Sequence, residues 1–314
     1  MDCQAVLLRE HTWPTLSLAQ WQDTYSTLHM WAQIVGKIRT KLTPPINHWW
    51  HSTLYVTPQG LTTSLIPYNQ ESFEIRFDFL GHRLEILTSW SEPAKLALVP
   101  QSVADFYSQL MQTLRSLGID VRIYPVPQEV TEPIRFDQDR VHASYDGQAA
   151  RRLWRILLES HKVFSEFRGH FIGKCSPVHF FWGSFDLAVS RFSGRPAPQR
   201  PGADPVTKEA YSHEVCSAGF WPGGGKMDAP AYYCYITPEP PGFAQAKVRP
   251  QQAFYSEDFH EFLLRYDDVR ESASPKDTLL EFLQSTYDAA ASLAAWDRVS
   301  LERQISGEPG KAAA

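Results

Sequence analysis

Helical and strand-like periodicities occupy separate blocks of this chain, and the same order of blocks occurs twice. A helix, a run of about three strands and a second helix span 17–117, and the pattern returns over 147–297. Blocks segregated in this way build an α+β fold with mostly antiparallel strands, because the short links between strands cannot make parallel crossovers. Four segments carry the helical stripe. The first starts at Ser17, with Gln20 at capping-box spacing, and sets Leu18, Trp21, Tyr25, Leu28, Ala32 and Val35 on one face until Pro44 and Pro45 stop it. The second starts at Ser102, with Asp105 in its first turn and Gly118 beyond its end. The third covers 147–168, and the fourth starts at Ser274 with Pro275 at its first helical position. Between them, Phe73, Ile75, Phe77 and Phe79 alternate with Glu74, Arg76 and Asp78, and a turn at Gly81-His82 leads to a hairpin partner. Further strands are expected over 47–56, 178–192 and 229–237, and another within 253–269.

Set side by side, the halves align. Phe106 falls on Phe282 at an offset of 176, and Trp50 falls on Trp182 at an offset of 132. The expectation is two helix–three-strand–helix halves, 1–143 and 144–305, related by a pseudo-twofold and packed as one unit. The 44-residue difference places an insertion in the second half, mostly a Pro- and Gly-rich loop over 193–230, and 306–314 reads as a disordered tail. Two similar layers that arose without duplication are the alternative. No apolar run approaches the roughly 18 residues of a membrane helix. The opening MDCQAVLLREHTW does not read as a secretory leader, and Cys3, Cys175, Cys216 and Cys234 form no close pair, so a cytoplasmic location is expected. A net charge of −5 argues against nucleic acid as a partner.

The stretches HWWHSTLYVTPQGLTTSLIPY, FIGKCSPVHFFWGSFDLAVSRFSGRPAP, YSHEVCSAGFWPGGG and FLQSTYDAAA resemble an uncharacterised bacterial protein family, a domain of unknown function, over about Trp13 to Asp297. The resemblance implies a single family-wide unit. It carries no catalytic residues across, so the site has to be read from the side chains.

Aromatic residues point to a place. The segment 171–235 holds 12 aromatics in 65 residues, against 6 in the 68 residues of 93–160. If 178–190 is one strand, His179, Phe181, Gly183, Phe185, Leu187 and Val189 face the core. Phe180, Trp182, Ser184, Asp186, Ala188 and Ser190 then face the other way. The matching strand offers His48, Trp50 and Ser52 on one face, so two Trp-x-Ser strands would wall a cleft suited to a small molecule. The plainer account is a core edge whose polar atoms bond to neighbours, and a one-residue slip would exchange the faces. The loop would act as a lid, bringing Arg191 and Arg195 to hold a carboxylate or phosphate, with Ser212 and Trp221 on its inner side. His213 and Glu214 are the acid–base candidates, with His179 as a further base.

Other chemistries fit less well. Cys175-x3-His179 and His213-x2-Cys216 could close a zinc site, but neither follows a common pattern, and no metal is assigned. Cys175 beside Lys174, with His179 as base, is a possible nucleophile. Gly223-Gly224-Gly225-Lys226 lacks phosphate-loop spacing, and neither a nucleophile elbow nor a dinucleotide fingerprint occurs. The expectation is an enzyme acting on a small polar or anionic molecule, its cofactor unknown. The alternative is a sensor or carrier that uses the same cleft without catalysis.

Overall fold

The computed structural model describes residues 12–224 and 227–304. Cys3, the 306–314 tail and the Gly225-Lys226 end of the glycine run lie outside the described residues. Each half runs helix, strands, helix, with every named strand pairing antiparallel. Each half carries six strands where about three were expected.

The first sheet contains β1 (Tyr55–Thr57), β2 (Gly60–Thr62), β3 (Ile66–Tyr68), β4 (Glu71–Asp78), β5 (Arg83–Thr88) and β6 (Ala94–Ala97), in the order β1-β2-β4-β5-β6 with β3 also on β4. Its period-2 pattern works as expected: Phe73, Ile75 and Phe77 are buried, while Glu74 and Arg76 lie on the other face. The second sheet contains β7 (His179–Phe181), β8 (Asp186–Pro196), β9 (His213–Trp221), β10 (Ala231–Thr237), β11 (Phe254–Ser256) and β12 (Glu261–Arg265), in the order β11-β12-β10-β9-β8-β7.

Three expectations fail here. Residues 47–52 are a short 3-10 helix, not a strand, because His48 and Trp49 take left-handed backbone angles. The stretch 178–192 is a hairpin, β7 turning into β8, with Phe185 left-handed in the turn. The supposed loop over 193–230 contains the end of β8, a short helix at Pro205–Ala210, and β9, which runs between β8 and β10. Only 197–212 bridges β8 to β9, and that bridge carries the short helix.

The helices are α1 (Leu18–Leu42), α2 (Val103–Ser116), α3 (Gly147–Gly169), α4 (Pro205–Ala210), α5 (Tyr266–Arg270), α6 (Pro275–Leu293) and α7 (Arg298–Leu301). The Ser102 hydroxyl accepts from Asp105 N, as its spacing predicts, and Pro275 opens α6. Helix α1 is buried on all sides from Thr27 to Arg39, as befits a helix enclosed by packing partners. Leu54 and Phe180 exchange both backbone hydrogen bonds at 2.8 Å, which joins the two sheets edge to edge. One hydrophobic core runs from Trp13 to Trp296 through both halves. Among the described residues no helix is long and apolar enough to cross a membrane.

Candidate functional site

The registers sort the second sheet into two faces. Leu187, Val189, Ala218, Phe220, Tyr232 and Cys234 point one way, where α3 and α6 cover them. Asp186, Ala188, Ser190, Ser217, Tyr233 and Tyr235 point the other way, together with Glu261 on β12. This inner face floors a cavity of about 890 Å³. Helix α1 supplies Lys37 and Lys41 to its walls, the 47–52 turn supplies His48, Trp49 and Trp50, the chain after α2 supplies Arg122, Tyr124 and Glu129, and α4 contributes Thr207 and Ala210. Mixed aromatic and polar walls around a volume of this size are typical of small-molecule sites.

The β7–β8 turn is fixed from several directions. His29 on α1 meets Gly183 O at 2.8 Å, and the Trp182 indole N–H donates to Ser52 O. The same indole lies against Gly36, where any Cβ would collide with it. Gln33 clamps the facing segment, donating to Gln128 O and accepting from Gln128 N, both at 2.8 Å. One face of α1 therefore positions two walls of the cavity. Left-handed angles at His48, Trp49 and Phe185 are strained for residues with a Cβ, and strain of this kind collects at functional sites. His48 Nδ1 faces the carbonyls of Glu209 and Ala210 at 3.1 and 3.0 Å, while Lys174 Nζ lies 2.6 Å from Nε2. The ring is thus neutral, donates to the end of α4, and ties that helix to the cavity wall. Burial, then Lys174, keeps its pKa down.

The electrostatics are unusual at the floor. Asp186 is 6% exposed and accepts from the Ser184 and Tyr233 hydroxyls, with no cation paired to it among the described residues. Burial raises its pKa, and those two hydrogen bonds offset part of the rise. Glu261 is raised to about 8 by burial and by the nearby Asp186 charge, and it has no hydrogen-bond or ionic partner among the described residues. Glu129, at the exposed rim, is raised by the same two causes. On the opposite wall Lys37 is 9% exposed and lies over the Trp182 and Tyr124 rings.

The structure gathers some of the expected site residues and disperses others. His48, Trp50, Ser52, Trp182, Ser184, Asp186 and Trp221 all line the cavity. Arg191 does not: it is 1% exposed on the covered face, its guanidinium 3.4 Å from the Phe167 ring centroid and 4.3 Å from that of Tyr287. Arg195 pairs with Glu214 at 2.7 Å and caps the carbonyls of Ala294 and Ala295, so neither arginine reaches the cavity. Adjacent residues on a strand point to opposite faces, which separates Glu214 from His213. His213 accepts or donates at Ser212 Oγ at 3.0 Å and meets the His48 ring edge-on, behind the cavity wall. His179 is boxed by Trp50, Tyr55 and Phe181, with neither ring nitrogen hydrogen-bonded, and burial holds its pKa at about 3. It is therefore no base near neutral pH. Burial pushes the Cys175 thiol up, the reverse of an activated nucleophile. Cys216 lies on the covered face, its sulfur 3.7 Å from that of Cys234, away from His213. No three His, Cys, Asp or Glu side chains converge as metal ligands among the described residues.

Sequence reasoning missed Tyr233, Tyr235, Glu261 and Lys37. The alternation in AYYCYIT carried the signal for the two tyrosines, since it places Tyr233 and Tyr235 on one face. Glu261 and Lys37 carried none beyond a charge beside apolar neighbours.

A family model described as a family of unknown function (DUF5996) matches residues 13–303, so the chain belongs to that family. Neither the curated proteins nor the solved structures yield a match.

Proposed function

For this member of the DUF5996 family, we propose that the cavity over the second sheet binds a small polar molecule, with its polar end on Asp186, Tyr233 and Glu261. The observation that carries this reading is the buried Asp186 and the half-buried Glu261, which have no cation partner among the described residues, whereas Glu74 and Glu85 on the first sheet pair with arginines. Such groups are costly to bury, and perturbed acids in a concave site are a mark of function. The aromatic walls supply contact area, and α4 supplies a cover. The acidic net charge favours a small molecule over nucleic acid.

A second reading is that the bound molecule is also transformed. Glu261 favours it, because a carboxylic acid with a pKa of about 8 is protonated at neutral pH and can act as a general acid. In that case Asp186 and Glu261 take the roles first expected of His213 and Glu214.

A thermal-shift screen of metabolites against the wild type, Asp186→Asn and Glu261→Gln tests the proposal. A ligand at 100 Kd stabilises by about 2.7 kcal/mol. Hits should raise the wild-type midpoint by several degrees and lose most of that shift in both variants. Hits that survive both substitutions unchanged would place the site elsewhere.

A further inference from the structure

Lys37 is a buried cation. It sits on α1 one residue after the glycine that admits the Trp182 indole, and its side chain lines the cavity wall. Its ammonium lies 5.7 Å from the Trp182 ring centroid and 6.0 Å from that of Tyr124. It makes neither a hydrogen bond nor an ion pair among the described residues. A buried cation without a counter-ion is expensive, and ring contacts offset only part of that cost. By contrast, Arg39, two residues further along the same helix, is also buried but donates to His51 O and Ser64 Oγ at 2.9 Å each. The helix therefore satisfies one buried cation and leaves the other on the cavity wall with ring contacts alone among the described residues.

We infer that Lys37 is an anion anchor: the molecule bound in this cavity carries a carboxylate or phosphate group that pairs with the Lys37 ammonium between the Trp182 and Tyr124 rings. This rests on the reading of the cavity as a binding site and names the ligand class. Lys41 and Arg122 line the same cavity from more exposed positions and add attraction for an anion. Glu261 does not oppose it. Protonated at neutral pH, its carboxyl can donate a hydrogen bond to an anionic or hydroxyl-bearing ligand. The anion recognition first assigned to Arg191 and Arg195 thus moves to a lysine on the opposite wall.

The test measures binding of benzoate, phenyl phosphate and inorganic phosphate, with benzamide and benzylamine as neutral and cationic matches, by calorimetry and thermal shift. Wild type, Lys37→Met and Lys37→Arg are compared. Lys37→Met should fold and melt at or above the wild-type temperature, since an apolar chain of similar length replaces an unpaired buried charge. In the wild type the anions should bind at least tenfold tighter than benzamide. Lys37→Met should bring them to parity, and Lys37→Arg should retain part of the preference. Parity in the wild type, or an unchanged preference in Lys37→Met, overturns the anchor while benzamide binding keeps the cavity reading. Absence of binding by every probe, benzamide included, overturns both.

Discussion

On the first sheet Glu74 lies 2.7 Å from Arg76 and accepts from Thr62, Glu85 lies 2.7 Å from Arg83, and Asp78 lies 2.9 Å from Arg83. On the second sheet, among the described residues, the Asp186 carboxylate has hydroxyl partners and no cation, and the Glu261 carboxyl makes no hydrogen bond or ion pair. Burial would raise Glu74, but Arg76 and Thr62 outweigh it and its pKa falls, whereas Glu261 climbs to about 8. Both sheets are antiparallel with one face in the core, so strand direction does not explain the difference. It follows from what covers the other face. The first sheet gives its carboxylates arginines, the buried Asp78 included, while the second sets its own around an open volume lined by α1, α4 and the 47–52 turn.

The strongest way to break the comparison is to fill the wall between α1 and the β7–β8 turn. Gly36→Leu would drive the Trp182 indole out of its seat, and overpacking of this kind costs about 3 kcal/mol. Urea unfolding should show that loss, and cavity ligands should no longer bind. If Gly36→Leu keeps wild-type stability, α1 does not hold the turn.

The pH dependence of stability separates the two sheets by sign. Glu261 keeps its proton in the folded chain up to about 8, while the unfolded chain releases it near 4.5. Its contribution is therefore complete below 4.5 and lost as pH rises to 8, on the order of 2–4 kcal/mol. Glu74, with a depressed folded pKa, contributes above 4.5 and loses it as pH falls. Denaturation midpoints from pH 5 to 9 should slope downward in the wild type, flatten in Glu261→Gln and keep their slope in Glu74→Gln. On the acid side, His29 is held at about 4 by burial, so stability present above 6.5 should decline as pH falls toward 4. A His29→Gln variant should reduce that acid-side decline.

Smaller changes sharpen the picture. Tyr233→Phe removes one hydroxyl from Asp186 and should cost about 1–2 kcal/mol of stability, together with ligand affinity. Glu214→Gln breaks a half-exposed pair with Arg195 and should cost under about 1 kcal/mol without touching ligand binding. A large loss of binding in Glu214→Gln would return that residue to the site.

Much of this architecture was legible in the residues. Stripes located α1 and α3, and caps with stripes located α2 and α6, because Ser102, Pro275 and Gly118 act through local chemistry, whereas the Ser17 side chain expected to cap α1 makes no capping hydrogen bond. The chain reversal at Trp182–Phe185 stayed hidden, since it places a phenylalanine in a conformation that sequence rules reserve for Gly or Asn. The 47–52 turn was missed for the same reason at His48 and Trp49. The cavity face of β8 was readable at Asp186, Ala188 and Ser190, and the same alternation carried one step beyond Ser190 already puts Arg191 on the covered side. What periodicity could not supply was partnership: whether Lys37 and Glu261 meet an opposite charge depends on contacts distant in sequence.

The contrast between the sheets can be measured directly by following the side-chain carboxyl carbons of Glu74 and Glu261 by 13C NMR across pH 3–9, with and without the best cavity ligand. The account predicts that free Glu261 titrates near 8 and moves when ligand binds, while Glu74 titrates below the usual carboxylate range and ignores the ligand. A Glu261 that titrates near 4.5, with a ligand response no different from that of Glu74, would contradict it.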